Sequence, residues 1–203
     1  MASPCAADAG APARRGDRLR PHLLGIDDGA FDKHRDRDVP IVAVRTEGAD
    51  QVEGVALTRF PVDGDGATGF LAGWIGALRL AQGLAGVVLG GVTIAGLGVV
   101  DVPALARALA RPVLVVNRRD PADHRLAGAL RAAGLEARLA SVAACPAAFR
   151  IEGGPWLACA GIEPARAAAL VAASRRKSDL PEALRLAHLF ARAVATGESR
   201  GRP

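Results

Sequence analysis

The sequence is poor in the residues that build covalent and zinc-bound scaffolds. It contains three cysteines, Cys5, Cys145 and Cys159, and their spacing matches no zinc motif. An odd number of cysteines also argues against a disulfide framework, because such frameworks pair their cysteines. The cysteine content therefore predicts a reducing, cytoplasmic setting.

Long apolar runs are also lacking. Residues 1–20 have no apolar core of the kind that a secretory signal peptide needs. The stretch that comes nearest to a membrane span, 84–102, is interrupted by glycines and is more typical of a strand followed by a loop. We therefore expect neither a targeting segment nor a membrane partner.

Lysine is scarce and tyrosine is absent, yet the chain is basic because arginine is abundant. The formal charge is +5 and the pI is near 10.0. Such an excess is typical of nucleic-acid-binding proteins. Much of it lies near the ends of the chain, where charge says little about a site. The residues concerned are Arg14, Arg15, Arg18, Arg20, Arg175, Arg176 and Lys177.

The length predicts one domain. A chain of 203 residues, half of them hydrophobic, can bury one substantial core. We expect a disordered basic arm over residues 1–20, a single domain over 21–197 and a disordered tail over 198–203. The arm is rich in Ala, Pro, Gly and Arg and shows no periodicity.

The order of predicted elements indicates the fold class. Three strands come first, and the second and third are joined by a short turn at 47–50 that predicts an antiparallel hairpin. Helices and strands then alternate, giving the order β-β-β-α-β-α-β of a mixed sheet covered by helices. This order is typical of the ribonuclease H-like fold, whereas a flavodoxin-like or Rossmann sheet would alternate from the start. The predicted strands are 23–27, 40–45, 52–60, 86–89, 112–117 and 156–159, and the predicted helices are 68–82 with Thr68 as cap, 102–110, 121–133, 164–174 and 182–195.

Two acids end the first predicted strand. Asp27 and Asp28 follow the apolar run Leu23–Ile26 and precede Gly29, so they should lie where the sheet opens to solvent. Carboxylates and waters are the ligands that Mg²⁺ prefers, and the register favours Asp27 as the ligand with Asp28 behind it. The alternative is an ordinary Asp-Gly turn.

Further acids occur in two loops. Asp63 and Asp65 follow the third strand, where a meander would bring them near the first strand. A calcium loop is excluded because its required glycine and glutamate positions hold Thr68 and Trp74. A turn with a helix cap is the alternative to a metal role here, and helix capping is also the favoured alternative for Asp101.

Two segments offer groups that could contact phosphates. The glycine-rich loop 90–98, which contains Gly91 and Gly96, follows a strand but matches neither dinucleotide-binding nor P-loop motifs. Arg118 and Arg119 end the strand 112–117 at the same sheet edge, where guanidinium groups can hold a phosphodiester or remain solvated.

The final predicted helix carries a polar stripe. Glu182, Arg185 and His188 recur at three-residue steps and share one side of the helix. A lone histidine on a helix is usually structural, but an acid, an arginine and a histidine together favour a site. We expect the opposite, core-facing side to consist of Leu186, Leu189, Phe190, Ala193 and Val194.

Over about residues 20–195 the chain resembles the uncharacterised family related to endonuclease V, some members of which are called endonuclease dU. The order and spacing of several pieces carry the resemblance. These are 25–31 (GIDDGAF), 62–64 (VDG) with Ala67-Thr68, Ala95-Gly96 with 99–101 (VVD), 112–118 with Pro121, and Pro181-Glu182 with Leu184-Arg185 and Ala187-His188.

The resemblance implies a ribonuclease H-like fold and Mg²⁺-dependent cleavage of phosphodiesters in nucleic acid, with Mn²⁺ as a substitute ion. It places cleavage near a deaminated base such as deoxyuridine or inosine and favours DNA over RNA. Asp27 matches the first-strand aspartate of endonuclease V, and Arg118 falls where that family keeps a lysine. The implied catalytic residues are Asp27, Asp65, Arg118 and His188, and the implied metal ligands are Asp27, Asp63, Asp65 and Asp101. The implied nucleic-acid contacts are Gly91, Gly96, Arg118, Arg119 and Arg185. Asp28 and Glu182 are implied to lie behind the residues that bind the ion and the substrate.

The chain departs from the endonuclease V pattern at several positions. Gly90 stands where endonuclease V carries a metal-binding aspartate, and Gly66 stands where an acid is expected before Ala67. The Gly-Phe-Asn expected after Ala95 is replaced by Gly96-Leu97-Gly98. The aromatic wedge of endonuclease V has only a partial counterpart here, Phe60-Pro61. These departures favour, as the alternative, a non-catalytic nucleic-acid-binding or regulatory domain with a degenerate metal site.

Overall fold

A computed structural model describes residues 19–121 and 125–200. Seven strands of this region form one mixed sheet in the order β3-β2-β1-β4-β7-β9-β8. The strands are β1 (His22–Asp28), β2 (Asp38–Glu47), β3 (Gln51–Pro61), β4 (Gly86–Leu89), β7 (Val113–Asn117), β8 (Phe149–Arg150) and β9 (Trp156–Ala160), and β5 (Thr93–Ile94) pairs with β6 (Gly98–Val99) as a separate hairpin. The helices are α1 (Ala67–Ala77), α2 (Val102–Leu109), α3 (Arg125–Ala132), α4 (Leu139–Ala143), α5 (Pro164–Ala173) and α6 (Glu182–Thr196).

The centre of the sheet is parallel and its flanks are antiparallel. β4 runs parallel to both β1 and β7, while β1 pairs with β2, β2 with β3 and β7 with β9 in the antiparallel sense. The predicted hairpin of the second and third strands is therefore confirmed, as is the first strand beside it. Because β1, β4 and β7 point the same way, their carboxyl ends meet at one edge of the sheet.

Helices cover both faces of the sheet, so the central strands are buried on both sides. Along β1, Leu24 and Ile26 pack toward α1 and α2, whereas Leu23 packs toward α5 and α6. The period of two residues in a strand produces this alternation.

Helix α6 packs closely on β1 because the contact consists of small residues. A Cβ atom on Gly25 would overlap the backbone of Ala183 and Leu184, so only glycine allows this approach. Ala183, Ala187 and Ala191 are buried on the helix side. The close packing brings the middle of α6 to the end of β1.

The predicted core face of the last helix is wrong. The buried positions of α6 are Glu182, Ala183, Leu184, Ala187 and Ala191, and Val194 is 49% exposed. Leu186 and Phe190 contact the small cluster of Val42 and Val44 from the side. The larger side chains suggested the wrong face, because a tight helix-to-sheet contact selects alanine.

The predicted start and end of the first helix are also wrong. Gly66, in a left-handed conformation (φ 69°), occupies the cap position, and Thr68 lies within α1. The Thr68 hydroxyl instead accepts a hydrogen bond from the backbone N–H of Asp101 (2.9 Å). The helix ends at Ala77, and a 3₁₀ turn over Arg79–Ala81 follows.

Several small elements were not predicted. They are the hairpin of β5 and β6 inside the glycine-rich loop, the 3₁₀ turn Glu136–Arg138, α4 and the two-residue strand β8. The predicted arm lies outside the described residues up to residue 18, as do residues 201–203 of the predicted tail and residues 122–124 of the predicted third helix. Within the described part of the chain, no helix combines the length and apolar character needed to cross a membrane.

Candidate functional site

The predicted acid of β1 and the predicted histidine of α6 are in contact at the carboxyl edge of the sheet. Asp27 Oδ2 lies 2.7 Å from His188 Nδ1, and Asp27 Oδ1 accepts a hydrogen bond from the backbone N–H of Asp28 (3.0 Å). The Asp27 side chain is 22% exposed and that of His188 is 56% exposed. Residues 161 positions apart in the sequence therefore form one polar pair that is open to solvent.

The pair is electrostatically coupled. The hydrogen bond to Asp27 raises the pKa of His188 above its ordinary value, while partial burial and the charges of Arg192 and Arg118 act in the opposite direction. The Asp27 carboxylate therefore favours the charged imidazolium. With Nδ1 directed to Asp27, the Nε2 atom is the one left for a ligand.

Asp28 connects β1 to the glycine-rich loop. Its Oδ2 accepts a hydrogen bond from the backbone N–H of Ala95 (2.5 Å). Burial raises the pKa of Asp28 to about 6, and the nearby charge of Asp27 adds to this effect, against the lowering effect of the Ala95 amide. Asp28 is thus a half-buried acid with a raised pKa that holds the loop beside the site.

Gly90 lies directly beside the Asp27 carboxylate at the end of β4. A Cβ at this position would lie 3.7 Å from Asp27 Oδ1 and 3.7 Å from Leu184 Cδ1, which is ordinary contact distance. A side chain would therefore have room here, but glycine supplies no ligand. The site is formed by β1 and α6 without a side chain from β4.

Asp63 stabilises the glycine-rich loop from the other side. Its backbone has a positive φ of 52°, its N–H donates to the Ala95 carbonyl (2.9 Å) and its Oδ1 accepts from the Leu97 N–H (2.7 Å). Lys33 Nζ lies 3.6 Å from Asp63 Oδ2. Asp65, two residues on, is 93% exposed and lies 3.8 Å from Arg138 Nε.

Asp101 caps a helix. Its Oδ1 accepts a hydrogen bond from the Ala104 N–H (2.8 Å) at the start of α2. This is the capping role weighed against a metal role from the sequence. The structure thus brings Asp27, Asp28 and His188 together, and gives Asp63 and Asp101 hydrogen bonds to backbone amides elsewhere.

The two predicted loop glycines differ in their surroundings. A Cβ on Gly96, which has a positive φ of 92°, would overlap Asp63 Oδ1 and approach Phe31, so this glycine allows tight loop packing. At Gly91 the nearest atom to such a Cβ is the Thr93 nitrogen at 3.9 Å. Gly91 therefore leaves space for a ligand to approach the backbone.

One arginine important for the loops was missed. The Arg138 side chain is 13% exposed, and its Nη1 donates to the carbonyls of Asp63 and Leu97, both at 2.8 Å. It links the unpredicted 3₁₀ turn to both loops beside the site. No local signal distinguishes Arg138 from the other arginines of this chain.

The cationic groups predicted from the sequence occupy two different environments. Arg118 and Arg119 are exposed just after β7. Arg185 is paired with the buried Glu182, with Nη2 to Oε2 at 2.7 Å and Nε to Oε1 at 3.0 Å. Glu182 Oε1 also accepts from the Lys177 N–H (3.2 Å), so this acid stabilises the start of α6.

The donor set at the edge suits a divalent ion that shares its ligands with a substrate. Among residues 19–121 and 125–200, no three His, Cys, Asp or Glu side chains are grouped as a closed metal site. Mg²⁺, however, is commonly held by one or two carboxylates, with waters and substrate phosphates completing the shell. Asp27 provides one such carboxylate at the open edge, and Asp28 lies behind it, bound to the Ala95 amide.

An apolar cavity of about 390 Å³ lies beside the same edge. Its lining is mostly apolar, with Val92, Leu126, Val142 and Ala148, and also includes Asn117 at the end of β7 and Asp120. A mostly apolar cavity with a few polar groups is typical of a small-molecule site.

Comparison with known proteins places the chain among nuclease-related families. The model of the family described as Endonuclease dU matches residues 20–195. A UPF0215 protein of Methanothermobacter thermautotrophicus is 37% identical over 183 residues, covering 88% of this chain and 90% of that protein. A second UPF0215 protein, from Archaeoglobus fulgidus, is 36% identical over 181 residues, covering 89% and 97%.

Solved structures show the same fold. The crystal structure of a protein of unknown function from Archaeoglobus fulgidus is 33% identical, with a TM-score of 0.79 and coverage of 86% of this chain and 98% of that one. Ciona intestinalis endonuclease V, in complex with a 24mer DNA containing an inosine followed by a ribo-adenosine, is 10% identical, with a TM-score of 0.57 and coverage of 88% and 87%. Endonuclease V has a ribonuclease H-like fold, so that prediction is confirmed.

Proposed function

The chain belongs to the endonuclease dU family, which is related to endonuclease V, and on that premise we propose that it is a metal-dependent endonuclease cleaving phosphodiesters in nucleic acid. The observation that carries the proposal is the Asp27–His188 pair at the open carboxyl edge of the sheet, with Asp28 beside it. An acid and a histidine from distant parts of the chain meet there, in contact with solvent.

In this proposal Asp27 would hold the ion, Mg²⁺ or Mn²⁺, with Asp28 behind it. When bound, such an ion lowers the pKa of a bound water and stabilises charge on a phosphoryl oxygen. Asp63, Asp65 and Asp101 remain predicted ligands, although the carboxylates of Asp63 and Asp101, like that of Asp28, already bind backbone amides. The proposal therefore depends first on Asp27.

His188 and Arg118 act on the phosphodiester itself. The hydrogen bond from Nδ1 to Asp27 fixes the orientation of the imidazole and favours its charged form, so that Nε2–H donates to a phosphate oxygen or protonates the leaving oxygen. Arg118 is exposed after β7, and its guanidinium adds charge stabilisation to the same phosphate.

The cavity beside Asn117 supports a preference for an altered base. Its volume of about 390 Å³ is in the range of small-ligand sites, and the carboxamide of Asn117 both donates and accepts hydrogen bonds. Deoxyuridine and inosine present such donors and acceptors at their base edges. We propose a base of this kind, in DNA ahead of RNA, as the recognised feature.

A second function follows from Gly90. Because no carboxylate stands beside Asp27 on β4, an ion held here has fewer protein ligands, and the same surface could bind nucleic acid without cutting it. Salt-sensitive binding without turnover is expected in that case.

The decisive experiment compares wild type with Asp27→Asn on end-labelled oligonucleotides that carry deoxyuridine, inosine or only normal bases, with Mg²⁺ or Mn²⁺. We expect cleavage near one altered base and a loss of at least about 100-fold in the variant, because it removes the negative charge that binds the ion and pairs with His188. Circular dichroism and thermal unfolding verify that the variant is folded. Arg166→Gln, an exposed residue on α5, serves as the matched control.

Equal cleavage by wild type and Asp27→Asn would exclude the proposed site. Intact oligonucleotides with every ion, together with salt-sensitive binding, would establish the binding function instead.

A further inference from the structure

A cleft of about 660 Å³ lies along the exposed side of α6, next to the Asp27–His188 pair. Its walls come from three parts of the chain: the end of β7, α6 and the segment that follows α6. The charged residues that line it are Arg118, Arg185, His188, Arg192, Glu198 and Arg200. Positive charge therefore predominates.

Two of these cations lack a counter-charge in the described part of the chain. Arg185 is paired with Glu182, and Arg200 lies 3.8 Å from Glu198. The guanidinium groups of Arg118 and Arg192, by contrast, have neither an ion pair nor a hydrogen-bond partner among residues 19–121 and 125–200. Both are close enough to His188 to oppose its protonation.

Arginines from three parts of the chain meet in this cleft. Arg192 lies on α6, Arg118 follows β7 and Arg200 follows α6. The repulsion between these like charges is unfavourable in the free protein, and a bound anion would offset it.

The lining favours a phosphate over a base as the anionic partner. Leu189, Thr196 and Ser199 are the uncharged residues of the cleft, and none of its described lining residues is Phe, Trp or Tyr. Single-stranded bases usually stack on rings of these types, so the cleft is poorly suited to holding a series of bases. Guanidinium groups, in contrast, match phosphate oxygens in geometry and charge.

We propose that this cleft holds the backbone phosphate next to the scissile phosphate, with Arg192 neutralising that phosphate while Arg118 contacts the scissile one. The inference rests on the proposed function in that it takes a nucleic acid as the ligand. It adds a defined path for the strand, from the Asp27–His188 pair along α6 toward its carboxyl end. Arg192 is the new binding residue.

Binding is measured without cleavage, in EDTA, by fluorescence anisotropy with a labelled oligonucleotide in single-stranded and duplex form. The oligonucleotide that wild type cuts is used, or one with normal bases if none is cut. We expect Arg192→Gln to weaken binding about 10-fold and to reduce the slope of log Kd against log [salt] by about 1. Arg166→Gln, outside the cleft, should leave the slope unchanged.

A phosphate scan then identifies the contact. Single phosphates are replaced one at a time by neutral methylphosphonates, and each oligonucleotide is measured with wild type and Arg192→Gln. At one position near the cut, we expect the methylphosphonate to weaken binding by wild type about 10-fold and to have little further effect on Arg192→Gln, as in a double-mutant cycle.

Additive losses at every position, an unchanged salt slope in Arg192→Gln, or no binding by wild type would overturn the inference. The outcome is separable from that of the proposed function. Metal-dependent cleavage with an unaltered Arg192→Gln slope retains the nuclease and rejects the cleft, whereas a non-additive position without any cleavage retains the cleft and rejects the nuclease.

Discussion

The acids at the end of β1 and the acids that precede helices look alike in sequence but differ in their contacts. Asp27 pairs with a histidine side chain at an open edge, and Asp28 beside it is a half-buried acid whose pKa is raised. The carboxylates of Asp63 and Asp101, like that of Asp28, accept hydrogen bonds from backbone amides. The acids of β1 therefore differ from the others in the histidine contact of Asp27 and the raised pKa of Asp28.

The difference between the acids of β1 and the acids that precede helices is tested most strongly by removing the charge of Asp28. Its pKa in the folded protein, about 6, lies above the ordinary value of 3.8, so folded protein binds the proton more tightly than unfolded chain does. The associated stability is complete below pH 4 and is lost as the pH rises through 6. It amounts to at most about 3 kcal/mol. We therefore expect Asp28→Asn to be more stable than wild type at pH 8, and no such gain at pH 4.

Urea unfolding in EDTA at a series of pH values measures this difference. The difference between the two proteins is the relevant quantity, because His188 titrates in both. A constant offset across the range would show that Asp28 is not a perturbed acid, and would remove the contrast between the two groups.

The next largest effect is expected at Asp63. Asp63→Ala removes the acceptor for the Leu97 N–H and leaves alanine in a left-handed conformation, which should cost about 2 kcal/mol of unfolding free energy. Asp63→Asn keeps an acceptor and tolerates that conformation, so its loss should be under about 0.5 kcal/mol. Chemical denaturation at pH 7 distinguishes them, and equal losses would refute the structural role.

Smaller effects are expected at Asp101 and Asp65. Asp101→Ala loses a helix cap and should lower stability by about 1 kcal/mol, whereas Asp101→Asn preserves it. Asp65→Ala, at an exposed position, should change stability by no more than about 0.5 kcal/mol. If either alanine variant were folded but unable to cleave in a metal-dependent assay, the residue would belong with the acids of β1.

Much of this could be predicted from sequence because the signals are local. The apolar run of β1 ends in acids, β4 was predicted over its observed bounds, and the pairing of β2 with β3 followed from the short turn between them. The contact of Asp27 with His188 was accessible only through the resemblance and the helical stripe. Arg138 was not predicted because its structural role depends on the carbonyls of Asp63 and Leu97, which only the tertiary structure brings close to it.

The helix face failed for a related reason. A prediction from hydrophobic periodicity gives the most weight to large apolar side chains. The contact of α6 with β1, however, is formed by alanines against Gly25, where a larger side chain would not fit. Hydrophobicity alone does not reveal how near two elements approach.

The same glycine has a consequence for how the site tolerates change. The separation of Asp27 from His188 is set by the thickness of one helix lying on one strand, and not by a loop that could readjust. A single methyl group on Gly25 would move α6 away from β1 and separate Asp27 from His188, although Gly25 itself touches no reacting atom. The distance between Asp27 and His188 thus depends on the absence of a side chain at Gly25.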